Sequence, residues 1–493
     1  MKKQSFLYGA GILAVASLLC KIMSAALKIP LDRLFLHEEG IAVYQSAYSI
    51  YNVFLAVCVT GIPIALSSLI AKSDEKERAG LCKSTLVFVT LLMVVCAAFL
   101  IAFSAPLARL LAGGGEGVAR LSLIVIAVAL PFKGVISSRR GYFQGMGNMT
   151  PSAISQLTES LVKVFLGIGG CALLIKYGIA YGACGAIIGV SAGAICSAAV
   201  LEIFFGKNKT EKAQFSMKKA LKVIEISIPM TLGAFGFTAV LLTDSLTVPE
   251  LLASVGVEHT ERLKMFGYLT RANTVYNLPA TIITAFTASA VPSVAAAFAK
   301  NDLKNTAETS KRVIKLIFLV AVPCMLGMAF FRDDILVLLY GSASKSILLA
   351  LAGAMVLIMP YIQTTTAMLQ TMGKVWLPII FTMSGVLVKL ILNVFFVESF
   401  GVEGAVISTI AAFLVVFVLN SALLCRKTSL KGLFKPIVRI FICGIVSCGG
   451  AKLIYSFNRS IIMLGVCILF AAVVYVAGIL LSGCIKKEEF FGE

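Results

Sequence analysis

Ser17, Lys21, Ser24 and Lys28 follow one another at spacings of 4, 3 and 4 inside one apolar run. On an α-helix that spacing makes a single stripe. A charge at mid-bilayer costs about 2.5–3.5 kcal/mol on insertion scales, so each embedded ammonium needs a partner or water. Lys28 can snorkel to an interface. Lys21 lies deeper and reads as facing a polar cavity. Gln45, Ser49 and Asn52 form a second stripe, and Asn273, Asn277, Thr281 and Thr284 a third, with Arg271 beside it. Packed helices use such amides and hydroxyls for interhelical hydrogen bonds, so these stripes serve packing or a ligand. Glu159 and Lys163, four apart, are placed to neutralise each other as a structural ion pair. Lys389 has Gly385 and Asn393 at the flanking helical positions, so its carboxylate must come from another segment or be replaced by water. Asp244, without an adjacent base, is open to three uses: an interfacial residue, a partner for Arg271 or Lys389, or a cation ligand. The embedded cations Lys21, Lys133, Lys163, Arg271 and Lys389 outnumber the anions Glu159, Glu225 and Asp244. That sign favours an anionic ligand such as a phosphate or diphosphate and disfavours a cationic one.

Long apolar elements must carry these groups. Hydrophobic residues make up 59% of the 493 and charged ones 14%, with a mean hydropathy of +0.97. No soluble surface of that size could be covered by so few polar side chains. The apolar runs are about 20 residues long, which excludes a β-barrel and predicts an all-α polytopic membrane protein. We read fourteen spans, among them 41–71 and 263–298. Gln144, Met146, Gly147, Leu161, Val162 and Lys163 recur 226 positions later as Gln370, Met372, Gly373, Leu387, Val388 and Lys389. A same-direction repeat requires an even number of spans per unit, so two parallel six-helix lobes and a C-terminal helix pair are expected. Their boundaries fall at 1–212, 213–430 and 431–493. Pro63, Pro131, Pro229, Pro279, Pro292, Pro323 and Pro360 interrupt the spans, as is tolerated where neighbours or a water cavity satisfy the freed carbonyls.

The net charge of +19 does not indicate nucleic-acid binding, because the basic residues sit in short loops rather than in a separate basic domain. With the N-terminus inside, 26 Lys and Arg fall on inside segments and 11 on outside ones. Both termini are therefore expected in the cytoplasm, with the first span retained. Thirteen cysteines are scattered without a CxxC pair and only two histidines occur, His37 and His259, so no His/Cys metal site is expected. No Walker A motif occurs, which directs energy supply to an ion gradient, the membrane potential or a downhill substrate. Nothing in the pattern suggests an enzyme or a cofactor.

The run Arg140-Gly141-Tyr142-Phe143-Gln144-Gly145-Met146-Gly147-Asn148-Met149-Thr150-Pro151 resembles the loop between spans 4 and 5 of the stage V sporulation protein B group. That group belongs with MurJ-type lipid II flippases and Wzx-type polysaccharide exporters in the MOP superfamily, which also holds the MATE drug exporters. The resemblance implies two lobes around a cationic cavity lined by spans 1, 2, 7 and 8, with spans 13 and 14 forming a groove for a lipid tail. It implies substrate contacts at Lys21 and Lys28, which match two basic positions of span 1, and at Arg271, about one turn from a basic position of span 8 where Thr274 stands. Asn52 and Asn277 join them as candidate headgroup contacts. Val59-Thr60-Gly61 stands where MurJ-type proteins have Ala-Glu-Gly. Asp244 matches a sodium-ligand Asp of some members and Asn393 a second ligand, with Val397 at the place of the second acid. Coupling to Na⁺ or H⁺ is thus implied as possible.

The expected function is a flippase for a polyprenyl-diphosphate-linked glycan, lipid II of peptidoglycan synthesis first among them. It would act as a monomer by alternating access in a bacterial plasma membrane, in contact with membrane lipids. The alternatives are another lipid-linked polysaccharide, a cation-coupled MATE-like exporter of small molecules, and a scaffold for wall or spore-coat assembly. The charge alternation makes one direct prediction: a fluorescent protein fused after Glu493 should fluoresce, and alkaline phosphatase fused there should be inactive. The reverse pattern would place the C-terminus outside.

Overall fold

The computed structural model describes residues 6–111, 116–206, 214–430 and 432–484. Among them there is no strand. The chain divides into two compact units, residues 1–270 with 389–405, and residues 271–388 with 406–493.

The first unit starts with α1 (Phe6–Pro30), α2 (His37–Leu55), α3 (Ile62–Lys72), α4 (Glu75–Ala102) and α5 (Ser104–Leu111). It continues with α6 (Glu116–Ala127), α7 (Ala129–Gly145), α8 (Thr150–Leu174), α9 (Ile179–Gly206) and α10 (Met217–Ser254). Widened π-helical turns at Leu31–Leu36 and Ala56–Gly61 join α1 to α2 and α2 to α3. Its core holds Tyr44, Tyr51, Ile62, Leu66, Leu123, Leu130, Phe143 and Ile187. α11 (His259–Ala299) passes from this unit into the second. There follow α12 (Leu303–Phe330), α13 (Arg332–Tyr340), α14 (Ile347–Ala352) and α15 (Met355–Thr371), then α16 (Trp376–Phe400), α17 (Val402–Lys427), α18 (Phe434–Phe457) and α19 (Ile461–Leu481). The second half of α16 and the start of α17 cluster with the first unit.

Twelve helical stretches among the described residues are long and apolar enough to cross a membrane. The chain is a multi-pass membrane protein. The two remaining expected spans, 41–71 and 263–298, lie in helical stretches, the earlier one divided by the π-helical turn at Ala56–Gly61. α18 and α19 show lipid-side character, with Leu453, Phe457, Ile462, Leu469, Val473 and Leu481 strongly exposed. α18 is tied to the second unit by Lys452, whose ammonium lies 2.9 Å from Asp334 Oδ2.

Glycines decide how close the helices of the first unit come. Gly185, Gly189 and Gly193 recur every fourth residue along one face of α9. A methyl group at Gly193 would lie 2.6 Å from the Glu159 carbonyl oxygen, and one at Gly189 would lie 2.7 Å from that of Lys163. α8 and α9 therefore meet backbone to backbone, the small-residue packing that membrane helices use in place of a hydrophobic driving force. The motif shared with the sporulation group works similarly. A methyl at Gly141 would lie 3.1 Å from Leu66 Cβ, and one at Gly145 would lie 2.8 Å from the Ser67 carbonyl oxygen, so both press α7 onto α3.

The repeat is visible in its turns. Met146, Gly147 and Asn148 donate to the carbonyls of Tyr142, Gln144 and Phe143. Met372, Gly373 and Lys374 donate to those of Met368, Gln370 and Leu369, the same pattern one repeat later. Gly147 and Gly373 have φ of 73° and 81°, the left-handed conformation that closes a helix of this type.

Because backbone atoms crowd Gly189 on both sides, Gly189→Ala should cost about 1–3 kcal/mol of stability through overpacking. Gly449, with nothing near its Cβ position, should accept Ala without loss. Residual monodisperse protein after heating in detergent measures both. Equal stability of the two variants would contradict the close approach.

Candidate functional site

The stretch of α8 that packs on α9 also carries polar side chains toward α1 and α7. Gln156 Oε1 accepts from Ser17 Oγ at 2.8 Å, and Lys163 Nζ donates to Ser24 Oγ at 2.6 Å. Both contacts join α8 to the α1 stripe predicted from spacing. Lys21 stands between Ser17 and Ser24 on that stripe and is exposed. Since the stripe meets polar atoms of α8 above and below it, Lys21 projects on the polar side. One turn on, Lys28 Nζ donates to Gln45 Oε1 at 2.8 Å and lies 5.9 Å from the centre of the Tyr48 ring. Gln45 in turn donates to Ser49, which also receives a bond from Ser245 of α10. Asn52 is half-buried one turn further along α2.

The expected Glu159–Lys163 ion pair is not the arrangement adopted. Glu159 is held instead by α7: Lys133 Nζ contacts Oε1, and Arg140 Nη2 lies 3.1 Å from Oε2. Arg140 also bonds Ser155 and Ser197. The reason is strength as well as geometry. A guanidinium and an ammonium from a neighbouring helix, buried with the carboxylate, outweigh one i, i+4 contact of a few tenths of a kcal/mol. Arg139 and Arg140 were expected as loop charges. Both are buried side chains near the end of α7, and Arg139 makes a two-bond contact to Glu202 at 2.7 and 3.0 Å under the Phe205 ring. A signal for this was present in the sequence: Lys133, Ser137 and Arg140 are spaced 4 and 3 apart, one face of α7.

The polar side of α1, α7 and α8 thus carries Lys21, Lys28, Lys133, Arg140 and Lys163, and among the described residues of these three helices one carboxylate, Glu159, which Lys133 and Arg140 contact. Five positive groups against one negative group leave an excess of four charges. Such a surface can bind and orient an anion through charge-assisted hydrogen bonds.

Asp244 and Asn393 also come together, on α10 and α16. Lys389 is between them: its Nζ lies 2.7 Å from Asp244 Oδ1, and Asn393 Nδ2 lies 3.4 Å from the same oxygen. Arg271 and Asn277 lie on the part of α11 that belongs to the second unit. Arg271 is buried with its guanidinium 5.0 Å from the Tyr340 ring centre, a cation–π contact. Asn277 donates its amide to the Asn273 carbonyl at 2.7 Å, and Thr284 bonds the Ala280 carbonyl. In this stripe local backbone bonding takes donors that sequence reasoning assigned to a headgroup.

Residues 6–298 match the family described as polysaccharide biosynthesis protein. The chain belongs to that family. It is 25% identical to stage V sporulation protein B of Bacillus subtilis, over 99% of this chain and 98% of that protein. It is 23% identical to the lipid II flippase MurJ of the same organism, over 82% and 79%. Among solved structures, lipid II flippase MurJ in an inward closed conformation superposes with a TM-score of 0.76 at 15% identity, over 95% of this chain and 98% of that one. An inward-facing multidrug resistance MATE transporter of the MOP superfamily gives 0.70 at 17% identity, over 83% and 96%. The fold is the one MurJ and MATE transporters share.

Removing Glu159 should be the costliest single change in this network. Glu159→Gln leaves two cations sharing no carboxylate and should cost about 3 kcal/mol, the low end for a broken buried pair because the side chain keeps 24% exposure. Lys163→Ala, losing one bond to a hydroxyl, should cost under about 1.5 kcal/mol. Thermal unfolding of the purified variants tests the order. A Lys163 loss as large as the Glu159 loss would restore the i, i+4 pair.

Proposed function

We propose that this chain is a flippase for a polyprenyl-diphosphate-linked glycan, with lipid II the first candidate, moved from the inner to the outer leaflet by alternating access. The observation that carries the reading is the five-to-one excess of cations over carboxylates on the polar side of α1, α7 and α8. Membrane-embedded charge of one sign is costly to keep, and a ligand of opposite sign is what compensates it. A diphosphate supplies that charge in compact form, and ammonium groups such as Lys21, Lys28 and Lys163 meet it as point charges. Full-length likeness to stage V sporulation protein B and to MurJ supports the class. With both termini cytoplasmic, an inside-negative potential favours outward movement of an anion by about 2.3 kcal/mol per charge per 100 mV. The chain acts as a monomer in this reading.

The fold likeness to MATE transporters supports a second reading, export of small molecules. The sign of the charge separates the two, since a cationic drug would be repelled by this surface.

Lys21→Ala and Lys28→Ala should each reduce flipping roughly ten- to hundredfold, the worth of one charge-assisted hydrogen bond of 1.5–3 kcal/mol, at unchanged protein level. Leaflet-specific labelling of lipid II, in cells where this chain is the sole flippase, measures the effect. Full activity of both variants would overturn the assignment. Drug efflux from the same cells, unaffected by either variant, would favour the second reading.

A further inference from the structure

Among the described residues, Asp244 with Lys389 is a buried ion pair that the flippase reading does not use. Lys389 is 0% exposed, Asn393 0% and Asp244 4%. The pair joins the middle of α10 to the middle of α16. Lys389 Nζ is 2.7 Å from Asp244 Oδ1 and 3.4 Å from the Ala405 carbonyl oxygen. Asn393 Nδ2 is 2.8 Å from Thr247 Oγ1. The ammonium therefore meets a carboxylate and a main-chain carbonyl, and the Asn393 amide bridges that carboxylate to the Thr247 hydroxyl.

The resemblance implied a sodium ion at Asp244 and Asn393. These residues do not fit one. A hard monovalent cation needs oxygen ligands free to face it. Here the carboxylate oxygen already faces an ammonium, the amide turns its nitrogen toward that oxygen, and the apolar Val397 stands where a second acid would be needed. A further cation would lie within a few ångströms of that ammonium and compete with it for one carboxylate.

We infer that the Lys389 ammonium is the resident cation of this pocket, so the chain takes up no Na⁺ there. Deleting the ammonium turns the pocket into a sodium site. In Lys389→Ala the oxygens of Asp244 and Ala405 lose their shared cation, rotation of the Asn393 amide brings its oxygen inward, and the space left by the lysine side chain holds an ion. The repeat gives this meaning. Lys163, the counterpart of Lys389 one repeat earlier, bonds a hydroxyl and keeps its charge available to an anion. Lys389 spends its charge inside the protein.

The experiment uses full-length protein purified in detergent, and its readout does not depend on which substrate is moved. Binding of ²²Na⁺ is measured by scintillation proximity, alongside thermal stability in NaCl against choline chloride at constant ionic strength. The wild type and Lys389→Arg should show no saturable Na⁺ binding and no Na⁺-specific stabilisation. Lys389→Ala should show both, and adding Asp244→Asn to it should abolish them. Saturable binding by the wild type that Asp244→Asn removes would overturn the inference, as would folded Lys389→Ala that binds no Na⁺. Should Lys389→Ala fail to fold, the wild-type and Asp244→Asn comparison still decides between a resident ammonium and a sodium ion.

Discussion

Charge removed from water must be matched by charge, and between α7 and α8 one carboxylate carries that burden. Glu159 is shared by Lys133 and Arg140 of the neighbouring helix. Without it two buried cations would face each other in a medium too apolar to screen them. The rest of the polar side is arranged around this contact. The glycines of α9 hold α8 at backbone distance, with the main chain of Glu159 and Lys163 at the contact, while Gln156 and Lys163 reach α1 and Glu159 reaches α7. The α1 stripe then finds hydroxyl and amide partners on α8 and α2, leaving more positive charge than the protein itself neutralises.

That surplus is a matter of placement rather than of composition alone. Arg139 is cancelled by Glu202 and Lys389 by Asp244, so neither adds to the field an anion would meet. Lys21, Lys28 and Lys163 are met by neutral partners or by solvent and keep their charge. The repeated lysine shows the divergence most directly. One copy meets a serine, the other an aspartate, although the turns that precede them share the same left-handed glycine and hydrogen-bond pattern. A duplicated backbone can hold its geometry while its buried charges take opposite roles.

Much of this was legible from residue spacing. The stripe Ser17, Lys21, Ser24, Lys28 is a helical face, and its serines bond the neighbour that a polar face requires. The all-α membrane class followed from hydropathy, and the repeat from six identical residues. Partners of buried charges were less legible. Glu159 was assigned its nearest partner along the helix, whereas a neighbouring helix supplied two stronger ones. Arg139 and Arg140 looked like loop residues because charged pairs usually end a span, yet both continue the helix and are buried by paired carboxylates. Asn277 looked available to a ligand but bonds its own backbone.

The amino-acid sequence by itself determined what each helix is: its length, its apolar face, its breaks at Gly and Pro, and the polar stripe it carries. These depend on interactions within one turn or on the preference of a whole segment for lipid over water. Tertiary structure alone decided which cation meets which carboxylate. Lys133 and Glu159 are 26 positions apart, and Asp244 and Lys389 are separated by most of the second repeat. Electrostatic pairing depends on distance in space and on the exclusion of water, and neither is a property of residues read in order.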